Sequence, residues 1–212
     1  TQRILQNKPL SLTLVELDCF MIEILEDRIQ KKDLDVSQTN FEIINNDVLK
    51  IEPNFEKYKV IANIPYYITS PILYKFLYEA RNKPSEIILM QKEVGDRIVS
   101  KKSSVLSLFV QKKCIVSQKF FVPKQCFSPA PKIDSSVLFF ELHSLYSQVD
   151  DLKFMVFIKA AFSNPRKKMI NNLAQWGYNK EQNYKKLIEL GFNDNTRAEE
   201  LSIADYMYML TE

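Results

Sequence analysis

The spacing of apolar positions changes several times along the chain, and each change predicts an element. Residues 11–18 (SLTLVELD) form a short β-rich run ending in acids, and 19–29 places Phe20, Ile24 and Ile29 at helical spacing. A strand followed by a helix is predicted. The alternation repeats: 41–49 and 58–64 read as strands, 70–80 as a helix, and 86–90 as a strand of the buried, continuously apolar kind. Strands separated by helices predict a largely parallel sheet. Residues 93–110 read as helical, with a joint at Lys101-Lys102-Ser103-Ser104 where the pattern breaks and a loop is expected.

Two β-rich runs, 114–122 and 135–145, then flank a loop punctuated by Pro123, Pro129 and Pro131. With no helix between them they predict an antiparallel hairpin at the edge of the sheet. Beyond Ser147 the pattern is helical to the end, with apolar stripes at Phe154, Phe157 and Ile158 and at Leu187 and Ile188. The expected fold class is α/β, with a sheet domain over 1–147 and a small all-α domain over 148–212. Because Thr1-Gln2-Arg3-Ile4-Leu5-Gln6 reads as the end of a helix, the sheet domain is expected to start upstream of it.

Composition narrows the chemistry. Hydrophobic residues make up 46% of the 212 positions and charged ones 26%, the balance of a globular protein. A net charge of +3 means that affinity for a polyanion must come from local clusters of Lys and Arg. Cys19, Cys114 and Cys126 lack metal-ligand spacing and His143 is the single histidine, so a zinc site, a disulfide framework and a Ser-His-Asp hydrolase all lack parts. No run approaches the ~18 apolar residues of a membrane span, and the expected compartment is cytoplasmic. Glycine is scarce: three residues stand where average usage of about 7% would place roughly fifteen.

The run 58–62 leads directly into Asn63-Ile64-Pro65-Tyr66-Tyr67, after which Ile68-Thr69-Ser70-Pro71 opens a helix. An amide side chain at the carboxyl end of a buried strand, followed by a proline that cannot continue the ladder, sits where open α/β sheets bind ligands. The residue types suit an exocyclic adenine amine, whose lone pair is delocalised into the ring. Accepting its hydrogens on the Asn63 side-chain oxygen and on the carbonyl of Ile64 or Pro65 favours a pyramidal nitrogen aimed at a methyl donor. Tyr66 is placed to stack on the base. A turn with a supporting aromatic accounts for the four residues Asn63 to Tyr66 taken alone.

In the longer form Asn63-Ile64-Pro65-Tyr66-x-Ile68-Thr69-x-Pro71, the segment resembles the signature of the ribosomal RNA adenine N6,N6-dimethyltransferase family. Further stretches resemble that family in order and spacing. Leu14-Val15-Glu16-Leu17-Asp18 is similar to its second strand, which implies that Glu16 grips the ribose of the cofactor, with Asp18 assigned as the cap of the next helix. Asn46-Asp47-Val48-Leu49 is similar to its third-strand segment, which implies that Asp47 meets the cofactor adenine; a plain strand-end turn is the other reading of Asp47.

The loop Phe127-Ser128-Pro129-Ala130-Pro131-Lys132-Ile133-Asp134-Ser135 resembles the family's Phe-x-Pro-x-Pro-Lys-Val-Asp-Ser string. It implies that Phe127 closes the target-base pocket opposite Tyr66. Phe162 to Leu173 resembles the family's basic segment, which implies phosphate contacts by Arg166, Lys167 and Lys168, against the reading of a solvated charged face. Pro165 stands where the family has its first arginine. Arg197-Ala198-Glu199-Glu200-Leu201-Ser202 also matches.

The resemblance implies a Rossmann-like methyltransferase sheet with an antiparallel edge hairpin and a C-terminal helical RNA-binding domain. It implies S-adenosylmethionine as cofactor, with Glu16, Asp47 and Asn63 on the cofactor side and Asn63, Ile64, Pro65, Tyr66 and Phe127 on the catalytic side, and no metal. The implied activity is dimethylation of two adjacent adenosines near the 3′ end of small-subunit rRNA, in an assembling subunit, by a monomer without membrane attachment. The alternatives are a large-subunit enzyme of the macrolide-resistance type, a DNA adenine methyltransferase, and an inactive RNA-binding assembly factor. The family's Glu-x-Gly-x-Gly-x-Gly loop has no counterpart, so the chain is expected to lack its N-terminal segment and to bind the cofactor poorly as written.

Overall fold

The computed structural model describes residues 1–63, 66–90, 98, 100, 102–128 and 134–211, with the backbone alone at 66, 89 and 90. The chain divides into two compact units, Thr1–Asn54 and Phe55–Glu212.

In the first unit, a short helix α1 (Gln2–Leu5) precedes strand β1 (Ser11–Glu16), helix α2 (Cys19–Gln30) and strand β2 (Asn40–Asn45). The two strands pair in parallel, with Ser11 opposite Asn40 and Glu16 opposite Asn45. Asp18 starts α2 as expected, its carboxylate accepting the Phe20 N–H at 2.9 Å. The second strand is shorter than its apolar run, which extended to Leu49. Asn46 and Asp47 bend the backbone there, and Asp47 accepts the Leu49 N–H at 3.0 Å to start a 3₁₀ turn over Val48–Lys50. Helix α2 buries none of its residues, and Phe20 is 66% exposed.

The second unit is built on strands β3 (Lys59–Ala62), β4 (Glu86–Met90), β5 (Cys114–Val122) and β6 (Ser135–Leu142). They hydrogen-bond in the order β3-β4-β6-β5. The β3–β4 pair is parallel, and β6 runs antiparallel to both β4 and β5. The predicted hairpin therefore exists and leaves β5 terminal in this sheet. Strand β6 stops at Leu142 rather than 145, because the backbone turns at His143, whose Nδ1 accepts the Leu145 N–H.

The helix predicted over 70–80 begins as α3 (Thr69–Tyr74) and continues as a π-helical turn over Lys75–Glu79. Within the span 93–110, helix α4 (Val105–Gln111) starts at Ser104, whose side chain accepts the Ser107 N–H while its own N–H donates to the Ser107 hydroxyl. The pattern break before it has a tertiary cause. Ser103 donates its N–H to the Glu199 carbonyl at 2.9 Å and its hydroxyl to the Leu201 carbonyl at 2.6 Å.

Four helices complete the unit: α5 (Asp151–Ala161), α6 (Met169–Gln175), α7 (Lys180–Glu189) and α8 (Ile203–Leu210). Asp150, Asn179 and Ser202 cap α5, α7 and α8 through side-chain oxygens. Phe154, Phe157, Ile158, Leu173, Leu187 and Tyr206 are buried together with the rest of this core. Ile188, expected beside Leu187, is instead 47% exposed, because α7 turns Asn183 and Leu187, four residues apart, to the interior.

Candidate methyl-transfer and RNA-binding sites

The acids of the first unit stand at the carboxyl ends of adjacent parallel strands, the end at which open α/β sheets bind ligands. Backbone N–H groups hold each of them. Glu16 Oε1 accepts from Leu17 at 2.9 Å and from Asp18 at 3.0 Å, while Oε2 has no protein partner among the described residues. The Asn45 amide braces the same turn by donating to the carbonyls of Glu16 and Leu17. That brace was missed in the sequence, where Asn45 reads as an ordinary strand residue. Asp47 is half-buried and uses Oδ1 to start the 3₁₀ turn, so the turn reading describes its local structure, and no protein partner of Oδ2 is found among the described residues.

In the second unit, Asn63 is exposed immediately after β3. Ile64 and Pro65 lie outside the described residues, as does the Tyr66 side chain. The backbone of Tyr66 opens a 3₁₀ turn, Tyr66–Ile68, that runs directly into α3. Strand, turn and helix thus succeed one another in the predicted order. Phe127 is half-buried in extended backbone after a 3₁₀ turn over Lys124–Cys126. Asp134 ties off this loop by accepting the Lys124 N–H at 2.9 Å. Its position within the motif string signalled the residue, though not this role. Residues 129–133 of the string lie outside the described residues.

The basic segment separates into parts. Arg166 and Lys167 are exposed in the turn between α5 and α6. Lys168, the first residue before α6, pairs with Asp194 at 2.7 Å. The bond and charge of Lys168 hold the Asp194 carboxyl below its ordinary range. Asn172, fully buried, fixes the turn from beneath by donating to the carbonyls of Ala161 at 2.8 Å and Asn164 at 2.9 Å. Two cations are thereby presented to solvent on a clamped loop.

A cavity of about 380 Å³ in the second unit is lined by Gln111, Cys114, His143, Tyr146 and Ile203, among others, and holds none of the predicted site residues. Burial pushes the Cys114 thiol up to about 12, so it is no nucleophile at neutral pH. Both His143 ring nitrogens are engaged, by the Gln111 carbonyl and the Leu145 N–H. Among the described residues, no group of His, Cys, Asp and Glu is arranged to hold a metal, and no helix is long and apolar enough to cross a membrane.

Parallel strand pairs linked through helices, with an antiparallel hairpin at one edge, define a Rossmann-like methyltransferase fold. Solved structures agree: a dimethyladenosine transferase from Plasmodium falciparum superimposes with a TM-score of 0.76 at 22% identity, over 94% of this chain and 80% of that one. The 23S rRNA methyltransferase ErmE gives 0.74 at 19% identity over the same shares. The chain belongs to the ribosomal RNA adenine dimethylase family, whose model matches residues 1–212. It is 34% identical over 210 residues to ribosomal RNA small subunit methyltransferase A of Fusobacterium nucleatum, covering 94% of this chain and 76% of the relative.

Proposed function

We propose that this protein dimethylates the N6 amines of two adjacent adenosines near the 3′ end of small-subunit rRNA during ribosome biogenesis, with S-adenosylmethionine as methyl donor. The small-subunit assignment rests on the 34% identity to the Fusobacterium nucleatum relative, whereas the likeness to ErmE, at 19%, concerns the fold. The observation that carries the catalytic reading is Asn63, exposed at the carboxyl end of β3 just before the turn into α3.

The first unit suits the donor. A ribose diol presents two O–H donors, and Glu16 offers a carboxylate oriented through Oε1 with Oε2 left to accept. Asp47, at the end of the neighbouring strand, suits the amino group of the cofactor adenine. When bound, S-adenosylmethionine supplies an electrophilic methyl group on a sulfonium. On the acceptor side, the Asn63 oxygen takes one amine hydrogen and a carbonyl of Ile64 or Pro65 the other, while Tyr66 and Phe127 hold the ring between them. The nitrogen lone pair is the nucleophile, and no side chain has to be tuned as a general base. The helical region 148–212 binds RNA, with Arg166 and Lys167 as the available phosphate contacts and Lys168 drawn aside by Asp194. The protein acts as a cytoplasmic monomer.

Asn63→Ala in the intact protein tests the reading. Methyl transfer to assembling small subunits should fall on the order of 100-fold or more, as when an active-site polar group that acts in the transition state is removed. Cofactor affinity measured by calorimetry should stay nearly unchanged. Unaltered turnover would remove Asn63 from the site, and a wild-type protein giving no binding heat would favour the inactive assembly factor.

A further inference from the structure

Asn45 ends β2 directly opposite Glu16, the last residue of β1. It is exposed, yet its side chain makes three hydrogen bonds, and all three go to the segment that leads from β1 into α2. The amide nitrogen donates to the carbonyls of Glu16 at 3.0 Å and Leu17 at 3.3 Å, and the amide oxygen accepts from the Cys19 thiol at 3.3 Å. Two carbonyls at one end and a thiol donor at the other fix which way round the amide stands, since the reversed amide would set oxygen against oxygen.

Strand pairing alone does not ask for this side chain. The Asn46 N–H already donates to the Glu16 carbonyl at 3.2 Å, so the backbone itself closes the end of the β1–β2 pair. What Asn45 adds falls on the two peptide units that follow Glu16. Their oxygens, the carbonyls of Glu16 and Leu17, are the ones that Asn45 holds. Their N–H groups, those of Leu17 and Asp18, are the ones that hold Glu16 Oε1. Because a peptide unit is planar and trans, fixing its oxygen fixes the direction of its N–H.

We propose that Asn45 is a positioning residue for the cofactor: through these two peptide units it holds the Glu16 carboxylate in the orientation that leaves Oε2 to the ribose hydroxyls of S-adenosylmethionine. The proposal rests on the assignment of Glu16 to the ribose and goes beyond it, since Asn45 acts through Glu16 and not on the ligand. A carboxylate held in place before binding loses less rotamer freedom when the ribose arrives, and affinity is higher for it.

Calorimetry with S-adenosylmethionine on the intact protein, in a cycle of Asn45→Ala, Glu16→Ala and the double variant, tests it. Asn45→Ala should weaken the cofactor by about tenfold, the loss expected from hydrogen bonds of this kind, with RNA affinity unchanged. In the Glu16→Ala background the same substitution should cost no more than about twofold, because the group that it positions is gone. Damage to the strand end itself would carry over in full into that background, so additive losses overturn the proposal. Amide hydrogen exchange in the cofactor-free protein gives a second readout, since Leu17 and Asp18 should exchange faster once Asn45 is replaced. Asn45→Asp keeps the shape of the side chain and has no N–H to donate, and it should repeat both effects. Unchanged exchange and an unchanged Kd in Asn45→Asp overturn the proposal even where Asn45→Ala fails to fold. A weakened Glu16→Ala beside an unaffected Asn45→Ala removes Asn45 alone, whereas an unchanged Kd in Glu16→Ala sinks the ribose assignment and the proposal with it.

Discussion

The two units solve opposite problems. In Thr1–Asn54, Leu5 and Leu34 are the buried hydrophobic residues, α2 buries nothing, and the polar groups at the strand ends are held in place by backbone N–H donors. In Phe55–Glu212, Ile87 of β4, Leu138 and Phe140 of β6 and Phe154, Phe157 and Ile158 of α5 are almost fully withdrawn from water, while Asn63, Arg166 and Lys167 stand exposed. The first unit thus has orientation without much interior, and the second has a deep interior carrying exposed polar groups. A ligand that binds only the folded form adds its binding free energy to stability, so the unit with the thinner core has more to gain from one.

Glu16→Ala should break the comparison at its strongest point. Loss of a charged acceptor for ribose should weaken S-adenosylmethionine by about tenfold to a hundredfold, with the cofactor-induced rise in Tm shrinking accordingly. RNA affinity should be unaffected. Calorimetry and a melting curve with and without cofactor check this, and an unchanged cofactor Kd would return Glu16 to the role of a turn residue.

Next in size comes Asp151→Asn in the second unit. Asp151 bridges Lys112 and Lys113, and the Lys112 side chain is only 1% exposed. The substitution leaves a buried ammonium short of its counter-ion and should cost roughly 2 kcal/mol, a value discounted for the water that reaches Asp151. Burial pushes the Asp151 carboxyl up, but the bonds and charges of Lys112 and Lys113 outweigh it and hold the folded-state value below the ordinary one. The contribution is therefore present above the ordinary carboxylate range of about pH 4 and is lost as pH falls through the lower, folded value. Urea melts from neutral pH downward should show a shallower acid loss in the variant, and parallel curves would refute the assignment.

The smallest effect sharpens the contrast between fixed and exposed charge. Arg166→Gln with Lys167→Gln should lower the salt slope for RNA binding by about 1.4, with a modest affinity loss near physiological salt. Lys168→Gln, already paired with Asp194, should change it less. Equal slopes for all three proteins would make the loop a solvated face.

Much of this was legible because it is local. The apolar runs marked the strands of both units, and the prolines between 122 and 135 marked the hairpin. Asp18 as a cap, and Asn63 at a strand end, followed from neighbours in sequence. What escaped depends on partners far along the chain. Lys168 reads as a phosphate contact, and its pairing with Asp194, 26 residues away, has no mark in the local sequence. Nor did the helical spacing of Phe20 and Ile24 reveal that α2 leaves them exposed, since periodicity says which residues share a face and not whether anything covers it. The loop before α4 was visible as a broken pattern, but its cause, the bonds of Ser103 to Glu199 and Leu201, spans nearly half the chain.

The π-helical turn at Lys75–Glu79 carries a consequence for chain length. A π turn holds one residue more than an α turn, and each residue of an α-helix rotates the next by about 100°. It therefore sets the rotational phase between Thr69–Tyr74, which follows the Asn63 turn, and Tyr78, which stacks on Phe109 at 4.3 Å and donates its hydroxyl to the Phe109 carbonyl. Removing a single residue from this stretch leaves the composition almost untouched yet turns one end of the helix against the other. Within residues 69–79, exchanging an exposed side chain such as Tyr74 should therefore disturb the helix less than changing the count of residues.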